Sequence, residues 1–206
     1  MIDRRSLCLM LMALPVAGCV EPPPPPPVLE PISYAARRDG AFTIPAVPIE
    51  QVPEAFHRQI VPMQSEHPPG TMIVDTNTRH LYLLMENDYA LRYGIGVGRD
   101  GFGWRGATDV FARRSWPTWT PPPEMIRRQP ELARWADGQP GGPRNPLGAR
   151  AIYLAIDGRD TGYRIHGTPE WQSIGQASSS GCFRMINHDV VDLFDRVRAG
   201  ATVIVV

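Results

Sequence analysis

The chain has 206 residues, 43% of them hydrophobic and 20% charged, which suits one globular domain with tails and excludes wholesale disorder. The 21 basic and 21 acidic residues cancel, which argues against an electrostatic nucleic-acid binder. Every basic residue is arginine; without lysine there is no Schiff base, no P-loop lysine and no Ser–Lys acyl transfer.

The N-terminus reads as a targeting segment over residues 1–18. Arg4 and Arg5 precede an apolar run from Leu7 to Val16, too short to span a bilayer, and small residues follow. Val16-Ala17-Gly18-Cys19 resembles the bacterial lipobox, where cleavage precedes the cysteine and its thiol takes lipid. An ordinary signal that happens to contain a cysteine is the competing reading. The lipid reading predicts a periplasmic protein anchored in a membrane through Cys19 by several acyl chains. Val20, rather than aspartate, after the cysteine points to the outer membrane. Cys8 would leave with the signal, so Cys182 is the one free thiol of the mature chain. No internal disulfide and no cysteine cluster for zinc are then available.

Residues 19–69 form a proline-rich linker or arm. EPPPPPPVLEP, residues 21–31, favours an extended polyproline II spacer. Beyond it the chain is irregular, and two readings stand: a disordered reach, or an arm that docks through Ile44, Val47, Ile49, Val52 and Phe56. The folded domain is expected over residues 70–206. Residues 71–75, 80–85, 89–97, 151–156, 163–166 and 201–206 are strand-like, with turn chemistry between several of them. The glycines from Gly94 to Gly106 lack the strand–helix context of a dinucleotide site. Residues 115–148 form a long insertion with Trp116, Trp119 and Trp135. Its tryptophans either line a groove or cover the edge of the core. Glu124 to Trp135 could make a short helix, limited by Pro130. Asn187 looks like the N-cap of a C-terminal helix that buries Val190, Val191, Leu193, Phe194 and Val197 and that Gly200 stops.

Two residues carry chemistry. His166 opens His166-Gly167-Thr168 at a strand end, and Cys182 lies in Ser178-Ser179-Ser180-Gly181-Cys182-Phe183-Arg184. Alone, each has a structural reading, a buried thiol or a satisfied core histidine. Together they point to nucleophilic catalysis, with an imidazole–thiolate ion pair keeping the thiolate populated near neutral pH. Gly181 leaves room for a substrate carbonyl and frees backbone N–H groups for an oxyanion.

These segments resemble the L,D-transpeptidase catalytic domain, the YkuD family of bacterial cell-wall enzymes. The family pattern is His-Gly-Thr, then Ser-x-Gly-Cys-x-Arg, usually followed by an asparagine, here Asn187. Ser180 stands where many members carry histidine. The likeness extends through Ile73-Val74-Asp75, His80-Leu81-Tyr82, Gly96-Val97-Gly98 and Asn145-Pro146-Leu147-Gly148-Ala149. It implies a mainly β, sandwich-like domain with a short C-terminal helix. It also implies that Cys182 attacks the L-centre carbonyl at position three of a peptidoglycan tetrapeptide stem and expels D-alanine. His166 would be base and then acid, oriented by the Gly167 carbonyl. Amides around Ser180, Gly181 and Cys182 would form the oxyanion hole. Arg184 would hold a substrate carboxylate or form a purely structural ion pair. The acceptor would be a second stem, an outer-membrane protein's amine or water, with no metal or organic cofactor. A carboxypeptidase, or a non-catalytic lipid-anchored wall tether, are the alternatives.

Overall fold

The computed structural model describes residues 25, 27–99, 104–179 and 181–206; the signal segment, Cys19 and Ser180 lie outside them. In chain order the strands are β1 (Arg37–Asp39), β2 (Phe42–Ile44), β3 (Gln59–Pro62), β4 (Met72–Asp75), β5 (His80–Leu84), β6 (Tyr89–Gly94), β7 (Val97–Gly98) and β8 (Gly106–Ser115). The helix α1 (Pro123–Arg128) precedes β9 (Arg150–Ile156), β10 (Arg159–Thr168), β11 (Ala177–Ser179) and β12 (Phe183–Ile186). The helix α2 (Asn187–Arg196) and β13 (Thr202–Val205) follow. The expected mainly β architecture is present, with one short C-terminal helix.

Nine strands form one sheet in the order β12-β10-β9-β8-β13-β4-β5-β6-β3. A single apolar cluster draws on both halves of it: Met72, Leu81, Leu91 and Tyr93 from one, Ile152, Leu154, Ile165 and Met185 from the other. The sheet therefore wraps around its core. Reciprocal bonds between Gly96 and Arg184, at 2.9 and 2.8 Å, tie the β12 edge to the segment just after β6. Gly96 fits there because a Cβ would stand 2.6 Å from the Ser173 carbonyl oxygen.

The fold reaches upstream of Gly70, where the sequence places its start. β3 pairs with β6 as the sheet's edge, and β1 and β2 form a hairpin. Of the two readings for this arm, residues 30–62 take the docked one. Asp39 receives a bidentate pair from Arg150 at 2.6 and 2.9 Å. Tyr34 donates to Asp189 at 2.7 Å, and Arg58 pairs with Asp192 at 2.8 Å. Val52, Tyr34, Val47, Ile49 and Phe56 pack with Ile174 and Ile186.

β8, for which the sequence raised no expectation, carries no strand-like apolar run, and its alternation is short because much of it is exposed. Pro130 divides the expected helix into α1 and a 3-10 turn, Pro130–Trp135, since proline removes a backbone donor. Asn187 begins α2 but does not cap it. Its amide instead donates to the Thr168 carbonyl at 3.0 Å and accepts from the Ala149 N–H at 2.9 Å. Gly148 and Gly167 make room, since a Cβ at either would stand 2.2 Å from the Asn187 oxygen. The helix ends at Arg196, before Gly200, because Val197 is already extended.

Two predictions follow from this packing. Asn187→Ala leaves a buried N–H and a buried carbonyl unpaired, and should cost about 3 kcal/mol, read as a lower urea midpoint at unchanged slope. An unchanged midpoint would reject the bridge. Separately, burial raises the Asp189 carboxyl to about 7, well above its unfolded value of 3.8. Its favourable contribution is complete below 3.8 and is lost as pH rises through 7. The wild-type melting temperature should therefore fall between pH 6 and pH 8 by more than that of Asp189→Asn.

Candidate active site

The strands β10 and β12 run parallel, with Ile165 opposite Phe183 and His166 opposite Arg184. Alternation along a strand puts residues 164 and 166 on one face, and residues 182 and 184 on the same face of the neighbour. Cys182, just before β12, thus comes beside Arg164 and diagonal to His166. Strand spacing and rise place the Cys182 and His166 backbones about 8 Å apart. A groove of about 1660 Å³ opens over this face and is lined by Cys182, His166, Arg164, Arg184 and Tyr153.

His166 is buried, and its Nδ1 donates to the Gly167 carbonyl at 2.6 Å. A carbonyl only accepts, so Nδ1 carries the proton and Nε2 is left as the basic nitrogen. Burial lowers this imidazole to about 4; the Gly167 bond opposes the shift, and Arg184 and Arg164 add to it. The half-buried Cys182 donates its S–H to the Gly162 carbonyl at 3.8 Å. Burial pushes this thiol up, while the Arg164 backbone and guanidinium draw it back. Both shifts favour the neutral forms over the ion pair expected from sequence, and burial is the leading cause of each.

The cysteine turn is set by Ser179. Its hydroxyl donates to the Cys182 carbonyl at 2.6 Å and accepts from the Gly181 N–H at 3.1 Å. Gly181 has φ 121°, a region that favours glycine. The Gly181 amide, expected to face an oxyanion, is engaged by Ser179 in this arrangement. Arg184 pairs with Glu170 at 3.0 Å, but Glu170 is 70% exposed, so the pair is worth only about 0–1 kcal/mol. That contact holds Arg184 weakly and leaves it able to exchange partners.

The sequence did not single out Arg164 or Tyr153, and Asn145 entered only as part of the family-like segment Asn145-Pro146-Leu147-Gly148-Ala149, with no role assigned. Arg164 grips Asp160 with two 2.7 Å bonds and lies 4.3 Å from the Tyr153 ring centre. Its place two residues before His166 was the available signal. Asn145 is buried, and its amide nitrogen reaches the carbonyls of Pro117, Gln139 and Pro140 at 3.1, 3.0 and 3.1 Å. This side chain organises the insertion, which forms a wall of the groove. The tryptophans divide between the two readings. Trp119 and Trp135 line the groove. Trp116 packs against the Ile44, Ala149 and Val191 cluster and donates to Asp39 at 2.8 Å.

Comparison with known proteins identifies the family. The family model described as the L,D-transpeptidase catalytic domain, YkuD, matches residues 69–206. A curated Escherichia coli relative, named "Probable L,D-transpeptidase ErfK/SrfK", is 34% identical over 65% of this chain and 43% of its own length. The Bacillus subtilis protein YqjB, provisionally named an L,D-transpeptidase, is 31% identical over 71% of this chain and 77% of its own. A Fuscovulum blasticum relative with a similar name is 37% identical over half of each chain. The chain thus spans about half the length of two of these relatives. A solved Brucella melitensis structure, titled a probable carnitine operon oxidoreductase, is 45% identical with TM-score 0.53, covering 73% of this chain and 94% of that one. A solved structure titled as an avibactam carbamoyl enzyme shares the fold at TM-score 0.51 and 18% identity, over 68% of this chain and 49% of that one. With a family match that runs from residue 69 to residue 206, the chain belongs to the YkuD family of L,D-transpeptidase catalytic domains.

Proposed function

We propose that this protein is a peptidoglycan L,D-transpeptidase in which Cys182 is the nucleophile. The observation that carries the reading is the placement of Cys182 and His166 on one face of adjacent strands, with Nδ1 tied to Gly167 and Nε2 left as the base. The thiol attacks the L-centre carbonyl at position three of a tetrapeptide stem. His166 accepts its proton, the new C–S bond forms, and the C–N bond to D-alanine breaks as His166 returns the proton to the leaving amine. An acceptor amine then opens the thioester and regenerates the thiol.

The tetrahedral oxyanion calls for backbone donors at the cysteine turn. Cys182 contributes its own amide, and Ser180, two residues before it in sequence, is the further donor expected from the family resemblance. Gly181 contributes when the Ser179 hydroxyl releases it. Arg184 trades its solvated partner Glu170 for a substrate carboxylate. The lipobox-like Cys19 supports an anchored periplasmic protein, facing the wall from the outer membrane, whose acceptor is a second stem or an outer-membrane protein's amine. Mass spectrometry finding an unmodified Cys19 in the exported protein would remove the anchor from this reading.

The direct test is incubation with tetrapeptide-rich peptidoglycan, with Cys182→Ala as control. New 3–3 dimers that require Cys182 are expected. Tripeptides alone would make it a carboxypeptidase or a transferase lacking its protein acceptor, and no change in either sample would favour the tether. The neutral resting pair gives a second expectation. Because the thiol lies above its ordinary value of 9.0, alkylation of Cys182, followed on its own peptide, should keep accelerating into the alkaline range. A plateau reached below neutral pH would reject the neutral pair.

A further inference from the structure

The groove over Cys182 is charged almost wholly in one sense. Six arginines line it, Arg99, Arg128, Arg134, Arg144, Arg164 and Arg184, against one acid, Glu170. Arg164 is neutralised by Asp160, and Arg184 is weakly paired with Glu170. Arg99, Arg134 and Arg144 have no carboxylate partner among the described residues. An uncompensated cationic groove concentrates anionic ligands, and a guanidinium fork matches a carboxylate in two bonds.

These three arginines come from both walls and stand on fixed backbone. The Arg99 N–H donates to the Ser179 carbonyl at 3.1 Å, which ties it to the strand that leads into the cysteine turn. Arg144 precedes Asn145, whose buried amide holds three carbonyls of the insertion. The Arg144 carbonyl also accepts from the Gln139 side chain at 3.1 Å. Arg134 lies over the Trp135 ring, 5.3 Å from its centre. Trp119 and Trp135 supply apolar surface between the charges, suited to the aliphatic parts of a peptide.

We infer that Arg99, Arg134 and Arg144 form a carboxylate-reading clamp across the groove, which selects peptide donors with free carboxyl groups over the same peptides with those groups amidated. This deepens the transpeptidase reading and rests on it for the identity of the donor. Arg184, beside the nucleophile, serves the reacting segment; the clamp reads acidic groups further along the peptide.

The test measures binding apart from turnover. Cys182→Ala is titrated by calorimetry with two tetrapeptides that differ only in amidation of their side carboxyls, at low and at high salt. The free acid should bind at least about tenfold tighter, equivalent to about 1.4 kcal/mol, and the gap should narrow with salt. Adding Arg134→Gln and Arg144→Gln should bring the free acid down to the amidated peptide while the amidated affinity and the melting temperature stay put. Equal affinities for the two peptides, an equal loss of both in the arginine variant, or binding of neither would overturn the clamp. Acylation of the wild type, read as a mass gain on Cys182, is scored separately. Selective binding without acylation would sink the transpeptidase reading and leave the clamp standing. Acylation without selectivity would do the reverse.

Discussion

The site depends on one buried amide. Asn187 sits where three segments meet: the end of the insertion at Ala149, the end of the histidine strand at Thr168, and the start of α2. Each of its two bonds satisfies a buried backbone group, so losing the side chain would strand both. The close approach needs two glycines, Gly148 and Gly167, and the second is the residue whose carbonyl orients His166. The tautomer of the histidine, the direction of the groove wall and the seat of the helix are thus fixed together.

A second constraint is electrostatic. The sheet buries His166 and half-buries Cys182, and burial disfavours charge on both. Two neutral groups cost less to desolvate than an ion pair, which favours the proton on sulfur, donated in a hydrogen bond to the Gly162 carbonyl. On the proposed mechanism, charge develops only as the thiol attacks, in a groove lined by six arginines. Arg164, the guanidinium nearest the thiol along the strand, is held in place by Asp160 and the Tyr153 ring and is largely neutralised by the former.

The sequence made the chemistry more legible than the architecture. His166-Gly167-Thr168 and Gly181-Cys182 stand out because reactive residues beside glycine are locally encoded. The strands β4, β5, β6 and β9 were readable from short apolar runs between turn residues. β8 was not, because its residues alternate between a thin buried line and solvent. The docked arm was left open because its anchors are long-range: Tyr34 meets Asp189, and Asp39 meets Arg150. No local pattern announces such a partner. Asn187 was misread for the same reason. An asparagine at a helix start suggests a cap, and only the fold supplies the two strangers it bonds instead.

The position of β13 carries a consequence for how the molecule is made. Its residues, Thr202–Val205, lie between β8 and β4 at the middle of the nine-stranded sheet, paired with Met72 to Val74 on one side and Gly106 to Asp109 on the other. Within the ladder the two halves of the sheet meet only through this segment, some 130 residues behind the strand it joins on the β4 side, while the Gly96–Arg184 bridge ties them separately near the β12 edge. Contacts so distant along the chain close slowly, because loop entropy is lost before any pairing repays it. A polypeptide emerging from the ribosome therefore lacks its keystone, and cannot complete the central ladder of this sheet, until residues 202–205 have been added.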